Sequence, residues 1–309
     1  MSATDPAEVD STVLEAVRLL DAHPDYRVLR RLAAVSDFGI RPVGAAASAV
    51  VIDTETTGVS RGNDQIIELA LLRFEFDTTS GAITRITDVY SGLEDPGRPI
   101  PPESTAIHGI TDAMVAGQAL DEARIGELVR DAALVVAHNA AFDRPFVEER
   151  LPLFAQLPWG CSLEQVPWSD EGFRGAKLEY LGWVSGFFYD AHRSEIDCRA
   201  LIEVLRRPLP KSGRIAFKRL LEAAAEPALR LWATGSPFET KDLLRERGYR
   251  WDADRRCWNR IVAKAIAKDE SEWLKTAVYG GRPAQIDVEV LDAKIRFSER
   301  PGPRKTRVI

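Results

Sequence analysis

Apolar positions near the start of the chain predict a helical extension. Residues 9–22 place their apolar side chains on one face of a helix, and a second short helix is predicted over 25–35. His23 and Pro24 separate the two, because the residue before a proline disfavours helical backbone. We therefore expect residues 1–44 to form a helical hairpin that packs on the main domain.

Three apolar segments with short links follow, and they predict an antiparallel meander of strands over 45–53, 66–76 and 83–90. Helical and strand patterns alternate after the meander. Helices are predicted over 120–130, 140–150, 176–184, 194–206 and 215–225, and a short buried strand over 133–137. The order predicts an α/β fold, a mixed β-sheet flanked by helices, over residues 45–228.

The composition changes after this region. Four of the seven tryptophans fall in the last 81 residues, at Trp232, Trp251, Trp258 and Trp273. A small α+β domain of a helix and a hairpin is predicted over 229–309. Because its end is rich in proline, glycine and charge, residues 300–307 are expected to be a disordered tail.

Composition narrows the class of protein. Of the 309 residues, 45% are hydrophobic and 28% are charged, which is typical of globular proteins. No apolar run approaches the 18 residues of a membrane span, and the N-terminus lacks the pattern of a signal peptide. The three scattered cysteines indicate a reducing compartment. We expect a cytoplasmic protein with no membrane partner.

The net charge of −6 is the sum of two unlike parts. Residues 1–228 hold 23 basic and 35 acidic residues, whereas residues 229–309 hold 18 and 12. Such asymmetry indicates a nucleic-acid partner, although solvated basic faces are also common. Arginines interleaved with aromatics (Arg250, Arg255, Arg256 and Arg260) fit a phosphate-binding surface or the rim of a tryptophan mini-core, and both interpretations stay open.

Two carboxylates end the first predicted strand. Asp53 and Glu55 are two residues apart, so both side chains project from one face of the strand. Neighbouring carboxylates repel each other unless a cation lies between them, and hard divalent cations take oxygen ligands. A lone Asp-x-Glu is more often a solvated strand end. Here the strand is apolar, and Thr56, Thr57 and Gly58 follow as a turn expected to have free backbone amides, so a metal site is predicted.

Two later segments carry further candidates. Asp143 lies one turn into a predicted helix that Asn139 begins, and Pro145 is expected in the first turn of that helix. His192 precedes another predicted helix whose first turn contains Asp197. Taken alone, the first pattern is also explained by helix capping through Asn139, and both explanations can hold at once. A lone His-x₄-Asp is much more typical of a polar surface.

The combination resembles the DnaQ-like (DEDDh) family of 3′–5′ exonucleases, which has an RNase H-like fold. The matching segments are Asp53-Thr-Glu55-Thr-Thr-Gly, His138-Asn-Ala-Ala-Phe-Asp143 and His192-Arg-Ser-Glu-Ile-Asp197. In addition, Ala106-Ile-His108-Gly-Ile-Thr-Asp112 is similar to the substrate-binding loop of polymerase proofreading subunits. The resemblance covers roughly residues 47–227.

The resemblance implies hydrolysis of the terminal phosphodiester at a 3′ end. It implies that two Mg²⁺ or Mn²⁺ ions, about 3.5–4 Å apart, are held by Asp53, Glu55, Asp143 and Asp197. His192 would be the general base, since histidine exchanges protons near neutral pH. It also implies a set of residues at the terminal nucleotide: Thr56, Thr57, Gly58, His108, Ile110, Asn139 and Phe142. For Phe142, a position in the core is as good an explanation as contact with the substrate. Glu68 is a candidate for a hydrogen bond near the site, and a role at the surface is an equal alternative for it.

The expected substrate is DNA with a free 3′ end, single-stranded in preference, in repair or proofreading. A DNA polymerase or repair complex is the candidate partner. RNA trimming is the alternative within the family, and a polymerase-associated nucleic-acid-binding scaffold is the alternative outside it. The complete set of motif carboxylates argues against the scaffold.

Overall fold

The computed structural model describes residues 11–309, so the predictions for residues 1–10 lie outside it. Helix α1 spans Ser11–Ala22 and has no buried residue, so the prediction that this helix packs on the main domain is wrong. The prediction of a second helix over 25–35 is also wrong. Strand β1, Arg30–Arg31, pairs in parallel with Phe187–Phe188 instead. The amides of Arg30 and Leu32 donate to the carbonyls of residues 186 and 188, and this pairing outweighs a weak local helical pattern.

The central sheet has five strands in the order β4-β3-β2-β5-β6. The first three are antiparallel neighbours, whereas β5 and β6 run parallel to β2. This arrangement confirms the predicted mixed sheet. The strands are β2 (Ala46–Thr56), β3 (Ile66–Asp77), β4 (Ile83–Leu93), β5 (Val135–Ala137) and β6 (Trp159–Cys161).

Helices cover both faces of this sheet, which confirms the α/β class. Val51 on one face packs with α8 and α9, whereas Ile52 on the other face packs with α4 and α5. The helices are α2 (Pro102–His108), α3 (Asp112–Val115), α4 (Glu122–Val129), α5 (Ala140–Arg150), α6 (Ser162–Gln165), α7 (Leu178–Val184), α8 (Ser194–Leu205) and α9 (Ala216–Ala225). Strand β7 is Phe187–Phe188, and a 3₁₀ turn covers Pro152–Gln156.

Pro145 lies in the second turn of α5, and the prediction that placed it in the first turn is wrong. Because proline has no amide hydrogen, the carbonyl of Ala141, four residues earlier, lacks its helical donor. The Arg61 guanidinium donates to that oxygen at 3.1 Å. A side chain from a distant loop therefore compensates for the interior proline.

The C-terminal residues form a second five-stranded sheet, antiparallel throughout, in the order β12-β11-β8-β10-β9. Its strands are β8 (Ala228–Trp232), β9 (Arg250–Asp252), β10 (Cys257–Ala263), β11 (Gln285–Leu291) and β12 (Arg304–Val308). Its helices are α10 (Lys241–Glu246) and α11 (Ala267–Trp273), with 3₁₀ turns at Phe238–Thr240 and Lys264–Ile266 and a π turn at Leu274–Val278. The domain boundaries at residues 44 and 228 stay predictions.

The prediction of a disordered tail over 300–307 is wrong. Strand β12 pairs with β11 through five registered residues, from Gln285 opposite Val308 to Glu289 opposite Arg304. The Thr306 hydroxyl also donates to an Asp287 carboxylate oxygen at 2.6 Å. The proline, glycine and charged residues of the tail disfavour regular structure locally. They cannot indicate that β11, elsewhere in the chain, provides hydrogen-bond partners for its backbone.

A buried arginine joins the two sheets. Arg144, in α5, has a fully buried side chain, and its guanidinium donates to the carbonyls of Ala293, Lys294 and Arg296. Its Nε donates to Glu148 at 2.6 Å. The segment after β11 is therefore held against the helix that carries Asp143.

Among residues 11–309, no helix combines the length and the apolar character needed to cross a lipid bilayer.

Candidate active site

Three carboxylates meet at one end of the central sheet. Asp53 and Glu55 project from the end of β2, and Asp197 comes from the first turn of α8. One oxygen from each lies within 4.8 Å of the other two. The strand alternation that places residues 53 and 55 on one face is thus completed by a helix packed on that face.

Asp143 lies beside this trio rather than in it. It is buried in α5, and one of its carboxylate oxygens accepts a hydrogen bond of 2.9 Å from the Thr54 hydroxyl. Thr54 is the residue between the two strand carboxylates. The charge of Asp143 nevertheless reaches the trio, because it raises the pKa of Asp53.

The electrostatics of the cluster favour a bound cation. Burial, and then repulsion from Asp143, Asp197 and Glu55, raises the pKa of Asp53 well above its ordinary value. Burial and neighbouring carboxylates raise the pKa of Glu55 to about 8, and burial raises that of Asp143 to about 7. Burial also raises the pKa of Asp197. Burial and mutual repulsion therefore disfavour the ionised form of these carboxylates. A hard divalent cation, which takes oxygen ligands, would offset this repulsion.

His192 is tied to the cluster through its backbone. It is exposed, it has a φ of +68°, and its amide donates to Asp197 Oδ2 at 2.8 Å. The amide of Arg193 donates to the same oxygen at 3.1 Å. A left-handed conformation is uncommon for a residue with a side chain. The loop therefore holds the imidazole at the edge of the carboxylate group while Asp197 fixes its main chain.

An ion pair with a buried carboxylate, Glu68 with Arg193, supports this loop. From the sequence, Glu68 was a candidate neighbour of the site, but its pairing with Arg193 was not predicted. Glu68, directly opposite Glu55 on β3, is 2% exposed and accepts from the Arg193 guanidinium at 2.8 Å. It also accepts from the Ser194 amide at 3.0 Å. The surface alternative for Glu68 is therefore wrong. Only its position in the strand facing the first motif could have drawn attention to it.

A protein-family model described as "Exonuclease" matches residues 50–205, which include all four motif carboxylates and His192. The chain belongs to this exonuclease family. Exodeoxyribonuclease 10 of Escherichia coli is 40% identical over 215 residues, covering 65% of this chain and 88% of that protein. DNA polymerase III subunit epsilon of Treponema pallidum is 32% identical over 165 residues, covering 49% of this chain and 72% of that protein.

A third relative is much longer than the region that it shares. The DNA polymerase III subunit epsilon-like protein of Rhodobacter capsulatus is 42% identical over 105 residues, covering 33% of this chain and 14% of that protein. The similarity to this relative is therefore limited to a part of each chain.

The turn after the first motif is closed by internal bonds. The Thr56 hydroxyl donates to the Gly58 carbonyl at 2.6 Å, and the Thr57 amide donates to the Gln65 carbonyl at 2.9 Å. The Thr57 hydroxyl donates to Asp64 at 2.9 Å. The expectation of free amides in this turn is wrong for Thr57, because the register of β2 with β3 continues past the carboxylates.

The histidine of the predicted substrate loop faces inward with an unused donor. His108 is buried, and its Nδ1 accepts from the Ile110 amide at 3.0 Å, so the neutral ring carries its proton on Nε2. That Nε2 has no hydrogen-bond partner among the described residues. Burial lowers the pKa of His108. Ile110 is fully buried with Ile67, which contradicts its predicted contact with a nucleotide, whereas Ile107 is 61% exposed.

Two residues of the second motif pack inside the protein. Phe142 is half-buried against the core with its ring 5.2 Å from that of Phe146, which favours the core alternative. His138 bonds Ser162 and the carbonyl of Ala176 at 2.8 Å each, and burial lowers its pKa to about 4. Asn139 is exposed, and its side chain makes no capping hydrogen bond to α5.

Proposed function

We propose that this chain is a metal-dependent 3′–5′ exonuclease that hydrolyses the terminal phosphodiester of single-stranded DNA and releases nucleoside 5′-monophosphates. The observation that carries the proposal is the convergence of Asp53, Glu55 and Asp197 within 4.8 Å, with the exposed His192 tied to Asp197. Repair or proofreading is the proposed setting.

The proposed cofactor is a pair of Mg²⁺ or Mn²⁺ ions. Asp53, Glu55 and Asp197 would hold them, and Asp143 would join after release or rearrangement of its bond to Thr54. Bound cations would offset the charge of the carboxylates and of the scissile phosphate, and would stabilise the charge that develops on the leaving oxygen. The raised pKa values of the carboxyl groups support this assignment, because each reports repulsion or burial that a cation relieves.

His192 is the proposed general base. Its ring is exposed, so it can reach a water molecule at the scissile phosphate and accept a proton from it. The bond from its own amide to Asp197 keeps the base at a fixed place beside the carboxylates. Glu68 and Arg193 are positioning residues, since they act on this loop without touching the substrate in the scheme.

At the terminal nucleotide, the proposed contacts are the Nε2–H of His108, the exposed side chain of Ile107 and the side-chain amide of Asn139. The unpartnered Nε2 supports the first, because a buried donor without an acceptor is costly unless a ligand supplies one. The exposure of Ile107 and the free capping position of Asn139 support the other two.

DNA is the proposed substrate because the match to exodeoxyribonuclease 10 spans most of the length of that relative, and its name specifies DNA as the substrate. The names of the polymerase III relatives support a DNA polymerase or repair complex as the partner. RNA trimming by the same site is the competing function, and a direct comparison of substrates separates the two.

The test uses single-stranded DNA and RNA of one sequence, each labelled at the 5′ end, with Mg²⁺ or Mn²⁺. We expect the DNA to shorten stepwise from the 3′ end, with mononucleotides as the other product, and a phosphorothioate linkage at the 3′ end to delay the shortening. Faster shortening of the RNA would replace DNA as the substrate. Internal cuts, or loss of the 5′ label as a mononucleotide, would contradict the proposed polarity.

A further inference from the structure

The C-terminal sheet carries an aromatic cavity of about 270 Å³ at the edge formed by the β9–β10 hairpin. Phe238, Trp251 and Trp258 are its aromatic lining. The charged residues that line it, Lys241 and Arg256, are both cations. We call this lining the aromatic edge.

Two of these aromatic side chains are not used by the core. Trp251 is 51% exposed and Phe238 is 75% exposed, and neither belongs to the buried cluster of this sheet. Trp258, in contrast, packs partly against that cluster and meets Trp251 edge-on at 5.6 Å. The mini-core explanation for these tryptophans therefore accounts for Trp258 but leaves the exposed face of Trp251 unexplained.

The cations at the edge are not neutralised by carboxylates. No ion pair in the described part of the chain involves Lys241, Arg255 or Arg256. Lys241 Nζ lies 4.1 Å from the centre of the Phe238 ring, and the Arg255 guanidinium lies 4.5 Å from that of Trp232. Cations held over aromatic rings are available for a polyanion while their stems stay ordered.

The hairpin turn presents these arginines in an unusual backbone conformation. Arg256 has a φ of +51°, a region that favours glycine or asparagine at such turns. Asp252 Oδ1 accepts from the Arg255 amide at 2.8 Å and fixes the turn. An arginine at a position suited to glycine gains nothing for the fold itself, which points to a use for its side chain.

We propose that the aromatic edge is a second binding site, distinct from the carboxylate centre, for single-stranded nucleic acid. Bases stack on Trp251 and Phe238, and Lys241 and Arg256 contact the phosphates between them. Exposed aromatic rings with adjacent cations bind unstacked bases with little sequence preference. The assignment of nucleic acid as the ligand rests on the proposed function, and the positive balance of residues 229–309 complements a polyanion.

The test measures fluorescence anisotropy of a labelled single-stranded DNA oligonucleotide with the full-length chain in EDTA, which prevents metal-dependent cleavage. Trp251→Ala and Phe238→Ala should each weaken binding by about tenfold, the loss of one stacked base. Trp251→Phe should retain most of the affinity. Arg256→Gln should lower the salt dependence of binding by about one phosphate contact.

Trp183→Ala is the matched control. That tryptophan is 49% exposed, but its ring already has two partners, the Arg27 guanidinium at 4.5 Å and the stacked ring of Tyr180 at 6.3 Å. Binding unchanged in this variant and weakened in Trp251→Ala supports the proposal. Equal affinity of Trp251→Ala and wild type for the oligonucleotide overturns it. Binding of a poly-glutamate peptide at the edge, without binding of the oligonucleotide there, also overturns it, because the ligand would then be an acidic protein segment.

A trinucleotide substrate separates this proposal from the exonuclease function, because we expect it to fill the carboxylate centre without also reaching the aromatic edge. Trp251→Ala should cleave the trinucleotide at the wild-type rate with Mg²⁺ and should show a raised KM on long strands. If wild type binds DNA but cleaves no nucleic acid, and Trp251→Ala loses DNA binding, the proposed function fails and the binding site stands. If cleavage proceeds and KM on long strands is unchanged in that variant, the site fails and the function stands.

Discussion

The amide of His192 donates a hydrogen bond of 2.8 Å to Asp197 Oδ2, and His192 adopts a φ of +68° to do so. One residue thus offers its main chain to a proposed metal ligand and its side chain to the proposed proton transfer. The two contributions can be separated by substitution, because the amide survives the loss of the imidazole.

His192→Gly and His192→Ala should both lower kcat by orders of magnitude, since each removes the base. Their stabilities should differ, because a left-handed conformation costs about 1 kcal/mol for alanine and nothing for glycine. We therefore expect His192→Gly to be more stable than His192→Ala by about 1 kcal/mol in chemical denaturation. Near wild-type kcat in either variant would remove His192 from the mechanism.

Glu68→Ala should lower both stability and kcat. The buried carboxylate holds the Arg193 guanidinium and the Ser194 amide, and its loss should cost about 2 kcal/mol, with Arg193 regaining water. KM should change little, because Glu68 does not touch the substrate. Glu75→Ala is the matched control, since Glu75 on the same strand makes an exposed pair with Arg85. An unchanged kcat in Glu68→Ala would contradict its positioning role.

Without divalent metal, the contribution of the carboxylate cluster to stability should fall as the pH rises from about 4 to about 8. The pKa of Glu55 is raised to about 8 and that of Asp143 to about 7, above their ordinary values near 4. These two groups therefore bind more protons in the folded chain than in the unfolded chain across this range, so a rise in pH weakens their contribution. The buried His108 and His138, whose pKa values are lowered, contribute in the opposite sense, and the variant Glu55→Gln isolates the part due to the cluster.

Thermal unfolding in EDTA at pH 5 and pH 8.5 measures this effect. We expect the lower Tm at pH 8.5, and a larger gain in Tm on addition of Mg²⁺ at that pH. Glu55→Gln removes one of the two groups and should reduce the difference in Tm. An identical pH dependence in wild type and Glu55→Gln would contradict the electrostatic description of the cluster.

Arg144→Ala should destabilise the chain by about 3 kcal/mol, because it removes a fully buried guanidinium together with its bonds to Glu148 and to the carbonyls of Ala293, Lys294 and Arg296. Arg245→Ala provides the comparison. Arg245 and Asp242 form an exposed pair, and its loss should cost at most about 0.5 kcal/mol. Urea denaturation of both variants measures the difference, and equal losses would show that the junction between the sheets does not depend on Arg144.

The sequence allowed prediction of the features that depend on local spacing. Asp53 and Glu55 share a face because side chains alternate along a strand, and Asp197 falls in a first helical turn as its position indicated. The mixed sheet followed from the order of apolar segments. These features need no knowledge of distant contacts.

The features that were missed depend on contacts far apart in the chain. The ion pair of Glu68 with Arg193 joins residues 125 positions apart, and the pairing of β12 with β11 supplies order that the tail lacks locally. The left-handed φ of His192 follows from its bond to Asp197, and the interior Pro145 is tolerated because Arg61 reaches its orphaned carbonyl. Composition and periodicity report none of these.

The most direct test of the account is the rate at which Asp53→Asn shortens a 5′-labelled single-stranded DNA in Mg²⁺, beside wild type and Glu127→Gln. Asp53 is central to the carboxylate trio, whereas Glu127 is exposed on α4. We expect stepwise 3′ shortening by wild type and Glu127→Gln, none in EDTA, and a loss of orders of magnitude in Asp53→Asn. Shortening by Asp53→Asn at the wild-type rate, or full wild-type activity in EDTA, would contradict the proposed metal-dependent mechanism.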